Sequence, residues 1–256
     1  MDYAEDSCAL RRQFGAEKPA VALEIRKFTS GGKVQITVAS KDISRTGNDP
    51  RTRFLPDDEA ADGGWTMVVD YGDGLTGILY TGDLTPVSVQ KNSPPDYEMG
   101  SAERERREQE ITGLLVERAF KQDLLLQTGS LGKPMVAMRQ CLDELMSHWG
   151  VDPKTTANLK TPPVPLSGRR LVDQLSHTFP QKMVKENKQG LVRLRLMVDQ
   201  EGVVSECHIQ LSYHQKEYEN AACEAFLGKT LFTPAQDMQG RAVPYPYITS
   251  IHYGLY

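Results

Sequence analysis

Apolar residues recur with two different periods along this chain. Up to about residue 131 the period is mostly two. "VALEIRKF" (21–28) and "KVQITVAS" (33–40) alternate on either side of the turn "TSGG". "WTMVVDY" (65–71), "TGILYTG" (76–82), "TPVSVQ" (85–90), "ITGLLVERAF" (111–120) and "DLLLQTGSL" (123–131) carry the pattern on. Such runs predict strands. Residues 44–64 are polar and are expected to form a loop. Residues 92–110 read as a solvated insertion, with helical propensity from Ser101 onward.

The period then lengthens. In "GKPMVAMRQCLDELMSHWG" (132–150), Met135, Met138, Leu142, Leu145, Met146 and Trp149 keep three/four spacing, which predicts one long helix over 132–149. Pro134 suits its first turn. Ser130 is placed to cap it. Residues 151–168 are rich in Pro, Thr and Lys without a period and read as a linker between a β-rich domain (1–150) and a smaller one (169–256). In the smaller domain 169–187 are helical pieces broken before Pro180. Val192, Leu194, Leu196 and Val198 share one face of a strand. After the turn at Gly202, Val203, Cys207, Ile209 and Leu211 share a face of the next. Tyr218, Ala221, Ala222, Ala225 and Phe226 form the apolar side of a short helix, and "YPYITSIHY" (245–253) is a last strand whose prolines place its start at a sheet edge. The fold class expected is therefore α+β: an antiparallel sheet with a helix on one face, behind a β-rich domain.

Composition narrows the function. The chain has 256 residues, 39% hydrophobic and 25% charged, with a net charge of −4. That is a globular composition without the basic surplus of a nucleic-acid binder. No run approaches the ~20 apolar residues of a membrane helix. "GDGLTG" (72–77) fits a glycine-rich dinucleotide pattern in letters only, because strand rather than helix follows it; a hairpin turn is the reading. The five histidines lack zinc-ligand spacing, with His208 and His214 read as a surface pair, and no GxSxG occurs. Asp57 and Asp58 read as solvated loop carboxylates. No catalytic, cofactor or metal residue is predicted, and no cofactor.

Cys8, Cys141, Cys207 and Cys223 form no CxxC. They are either four buried thiols or two bridges. Cys207 points inward from a strand and Cys223 sits on the covering helix, so a bridge there closes a loop of about 16 residues. Cys8 and Cys141 are then left for each other.

Phe179-Pro180, Gly190-Leu191-Val192, the turn Asp199-Gln200-Glu201-Gly202, the alanine-rich helix, Phe232-Thr233-Pro234-Ala235 and Gly240-Arg241-Ala242-Val243-Pro244 follow one another in the order of the TonB C-terminal domain family, which residues 175–256 resemble. The resemblance implies a non-enzymatic protein of the Gram-negative cell envelope, in the periplasm, which presumes a signal peptide that this sequence does not carry. It implies a protein or peptide partner, such as an outer-membrane transporter, bound by β-augmentation on the edge strand Tyr247, Ile248, Thr249, Ser250, Ile251, His252 and Tyr253. With neither a membrane helix nor a long Pro/Lys/Glu-rich spacer, force transduction is not expected. Two alternatives stay open: a structural or homodimerising module, and an enzyme whose site lies in loops 44–64 and 92–110.

Overall fold

The structure is a computed structural model. It describes residues 2–4, 6–15, 21–29, 33–41, 50–62, 66–93, 99–152, 154–155, 159–186, 190–213 and 216–253. Residues 30–32 of the turn at 29–32, parts of the loop 44–64 and of the insertion 92–110, and His214 lie outside the described residues. The chain divides into two compact units, Met1–Leu142 and Asp143–Tyr256.

The strands of the first unit are β1 (Asp2–Ala4), β2 (Ser7–Phe14), β3 (Val21–Lys27), β4 (Lys33–Ser40), β5 (Arg51–Leu55), β6 (Ala61–Asp62), β7 (Thr66–Gly72), β8 (Leu75–Asp83), β9 (Gly113–Glu117) and β10 (Leu124–Leu126). They form an antiparallel sheet in the order β1-β2-β3-β4-β8-β7 and a second in the order β10-β9-β5-β6. The period-two runs thus become strands, but β3 and all of β4 except Lys33 are buried on both faces. The "GDGLTG" stretch is the β7–β8 hairpin turn, with Gly72, Asp73 and Gly74 all at positive φ.

Three expectations are corrected here. The loop 44–64 contains β5, because Thr52 and Phe54 alternate into the interior. The run 85–90 is not a strand but leads into a short helix, α1 (Val87–Lys91). Asp83 Oδ1 accepts from the Thr85 amide at 2.8 Å, and Pro86 opens a helical turn by accepting from Val89 and Gln90. The charge run becomes α2 (Ser101–Glu110), and it is not wholly solvated. Arg107 donates from Nε to the Leu84 carbonyl (2.9 Å) and from Nη2 to Asp57. Glu108 is fully buried and accepts from Arg139 Nη1 at 2.6 Å. Asp57 is accordingly no free loop carboxylate, although burial still raises its pKa above the ordinary range against the pull of Arg107.

The long helix is α3 (Gly132–His148), with Ser130 Oγ accepting from the Gly132 amide at 3.2 Å. Met135, Met138, Cys141, Leu142 and Leu145 are buried along it. Cys141 is bonded to Cys8 on β2, with Cα atoms 6.1 Å apart.

The second unit continues with β11 (Leu159–Thr161), β12 (Val164–Pro165), α4 (Gly168–Thr178), α5 (Gln181–Lys185), β13 (Gly190–Val198), β14 (Val204–Tyr213), α6 (Lys216–Phe226), β15 (Phe232–Thr233), β16 (Ala235–Asp237), β17 (Ala242–Val243) and β18 (Tyr245–Tyr253). Its main sheet is antiparallel in the order β14-β13-β18. Two strands arise within the Pro-rich segment: β11 pairs with β16 and β12 with β15. No helix among the described residues is long and apolar enough to cross a membrane.

Lys27 closes β3 almost entirely buried, and burial, aided by the charge of Arg104, lowers its pKa to about 8. An unfolded lysine holds its proton to pH ~10.4. The charged lysine therefore burdens the folded state below pH 8, and the burden lifts as pH rises toward 10. Denaturant unfolding of the wild type at about pH 7 and about pH 9.5 should show stability gained on this account, and Lys27→Met should flatten the difference.

Candidate partner-binding edge

The site is built outward from β13, which pairs with β14 on one side and β18 on the other. Val192, Leu194, Leu196 and Val198 point from it into the core, all fully buried. There they meet Tyr218, Ala222, Ala225 and Phe226 of α6. The aromatic residues pack tightly: Tyr218 stacks on Tyr253 with ring centres 4.4 Å apart, and Phe179 meets Tyr253 edge-on at 5.1 Å. Gly190 permits this stack, since a Cβ there would lie 2.5 Å from the Tyr218 ring.

The β13–β14 turn is pinned to the chain that follows α6. Asp199 Oδ1 accepts from the amides of Glu201 (3.0 Å) and Val203 (2.8 Å). Gly202 takes φ +79°, and its carbonyl accepts from Leu231 and Phe232. A Cβ on Gly202 would sit 2.0 Å from the Phe232 carbonyl oxygen. Phe232 is buried in the core and its ring lies 4.7 Å from that of Tyr247 on β18. Cys207 and Cys223 are joined, with Cα atoms 5.6 Å apart, tying β14 to α6.

Two features were not foreseen. The register of β14 against β13 shifts twice, each time with one extra residue on β14. These bulges turn Val204, rather than Val203, into the core, and Leu211 is not part of the core cluster. The second feature lies on the opposite face of the sheet, where the guanidinium of Arg195 sits 4.5 Å from the Trp149 ring centre and both residues are buried. Nothing in the sequence pairs these residues, although Trp149 ends the α3 stripe. Arg193, on the same face, has its pKa lowered to about 10 by burial.

The seven residues Tyr247, Ile248, Thr249, Ser250, Ile251, His252 and Tyr253 are consecutive on β18. Among the described residues no strand pairs with its outer side. Its register with β13 is unbroken from Gly190↔Tyr253 to Val198↔Tyr245. Pro246 fixes the direction of every amide. Lacking an N–H, it must occupy a position that does not bond to β13, so Ile248, Ser250 and His252 also turn their N–H outward. Tyr247, Thr249, Ile251 and Tyr253 bond inward to β13.

Residues 176–255 match the model of a family described as the Gram-negative bacterial TonB protein C-terminal. The C-terminal module is TonB-like. No curated protein and no solved structure matches the chain. His208 of the module is exposed and faces Glu206 at 3.1 Å, as a surface residue.

Gly202→Ala should be the most disruptive small change in the TonB-like module, through both its φ and the Phe232 contact. A loss of about 2–4 kcal/mol in urea unfolding is expected. Gly228→Ala, also at positive φ but with open space around the missing Cβ, should lose about 1 kcal/mol.

Proposed function

We propose that this is a non-enzymatic cell-envelope protein that works in the periplasm and captures a protein or peptide by pairing with the outer edge of β18, in the service of outer-membrane transport. The observation that carries the reading is the open β18 edge, aligned without a break on β13 within a TonB-like module. The three outward amides at Ile248, Ser250 and His252 suit an added strand of about five residues. Each main-chain bond contributes about 1 kcal/mol net, so affinity grows with side-chain contacts along Tyr247–Tyr253 as well. Two disulfides support an oxidising compartment such as the periplasm.

Proline substitution tests the edge directly. Ser250→Pro removes an outward amide, so the fold should persist while binding of an outer-membrane transporter box peptide is lost. Thr249→Pro removes an inward bond to β13 and should lower the melting temperature instead. Both effects are read by calorimetric titration beside a thermal melt. Peptide affinity left unchanged by Ser250→Pro sinks the edge-pairing reading. If the wild type ignores the peptide yet sediments as a dimer that Ser250→Pro dissolves, the occupant of the edge is a second copy of this chain.

The compartment is tested by thiol alkylation of protein taken from its native cells. No mass shift is expected without reductant and four alkylated thiols with it. Four reactive thiols without reductant would overturn the periplasmic assignment.

A further inference from the structure

The first unit contains a cleft that edge pairing does not use. It lies between β5, the end of β8 and the chain entering α1, and has a cavity volume of about 210 Å³. That is roughly seven waters' share of liquid, room for a small solute rather than a chain segment.

Charges of both signs line it. Lys33 on β4 stands directly across from Asp83 on β8, so their Cβ atoms lie about 5 Å apart. Among the described residues no ion pair joins them, although Lys33 is exposed and Asp83 half-buried. Asp83 uses Oδ1 on the Thr85 amide, and its charge also acts on the buried Lys27. Arg53 gives Nη1 to the Asp58 carbonyl at 3.0 Å, while its Nε is buried with no partner. The Tyr80 hydroxyl is likewise buried, with Thr52 beside it. Buried polar groups of folded proteins are rarely left this way. Other carboxylates near the cleft are already engaged: Asp57 by Arg107 and Glu59 by Lys91.

We propose that this cleft binds a small zwitterion, an α-amino acid, with its carboxylate against Lys33 and Arg53 and its ammonium against Asp83. A simple anion would satisfy the two cations but face the Asp83 carboxylate. A neutral sugar would leave both signs unmatched, at the cost of desolvating them. A zwitterion matches both, and the hydroxyls of Tyr80 and Thr52 can complete its hydrogen bonds. Phe54 and Val87 form the apolar part of the wall and restrict the ligand to a small side chain.

The test is an amide-shift titration of the full-length, ¹⁵N-labelled protein with glycine, L-alanine and L-threonine, run beside acetate, methylammonium and glucose. Saturable shifts at Arg53, Gly82, Asp83 and Thr85 are expected for at least one amino acid, with a Kd of about 1 mM. Lys33→Gln and Asp83→Asn should each weaken binding about tenfold, the loss of one charge-assisted contact, with melting unchanged in Lys33→Gln. Lys33 is exposed, and asparagine keeps the acceptor that the Thr85 amide needs. The proposal is overturned if none of the amino acids gives a saturable shift by about 10 mM. It is also overturned if acetate or glucose binds as well as the amino acids, or if both variants bind like the wild type.

Discussion

Everything in the C-terminal module depends on β13 having a strand on each side. Its four inward aliphatic residues are fully buried, a contribution of about 1.5–3 kcal/mol each. That burial holds only while β14 and β18 flank it and α6 covers it. With its backbone bonded on both sides, β13 has nothing left to offer a partner. The edges of the sheet are displaced to the outer sides of β14 and β18. The position of the edge is therefore set by the same hydrophobic row that makes the core.

The turn at Gly202 carries that constraint further. Its carbonyl holds Leu231 and Phe232, and Phe232 brings its ring against Tyr247. A backbone contact at one end of the β13–β14 hairpin thus helps to seat the start of β18. The Cys207–Cys223 bond acts between the same layers, holding α6 on the sheet. In the chain-entropy account a loop of this size contributes about 3 kcal/mol. Glycine, aromatic ring and disulfide all fix the strand order, and none of them faces the outer side of β18.

The C-terminal module was legible because each of its elements has one covered apolar face. Tyr218, Ala221, Ala222, Ala225 and Phe226 are all buried as their spacing requires. The bulges of β14 were not legible, since an extra residue breaks the period without any compositional mark, and Val203 and Val204 look alike. The Arg195–Trp149 contact was also hidden, because it joins residues 46 positions apart. The first unit yielded less. Its polar residues are not confined to the surface: Glu24 is nearly inaccessible and takes hydrogen bonds from Arg26 at 2.8 Å and Arg11 at 2.6 Å. A charge run such as 101–110 reads as solvated until its partners are known, and the partners of Arg107 and Glu108 come from distant segments. A binary pattern cannot announce a buried ion pair, since the pair looks polar at both ends.

Two outer edges raise the matter of which one a partner would use. One face of the sheet lies under α6, and the other carries the Arg195–Trp149 stack, so the faces themselves are occupied. On β14 both bulges put an extra residue into the strand, which bends and twists an edge and interrupts its ladder. Its exposed Glu206 and His208 add charge there, a common way of blunting an edge. The β18 strand has neither defect. Its register runs unbroken for nine residues, and its single proline sits near the start, outside the run of outward amides from Ile248 to His252. The module thus discourages pairing along β14 and leaves β18 as the straight, regular template.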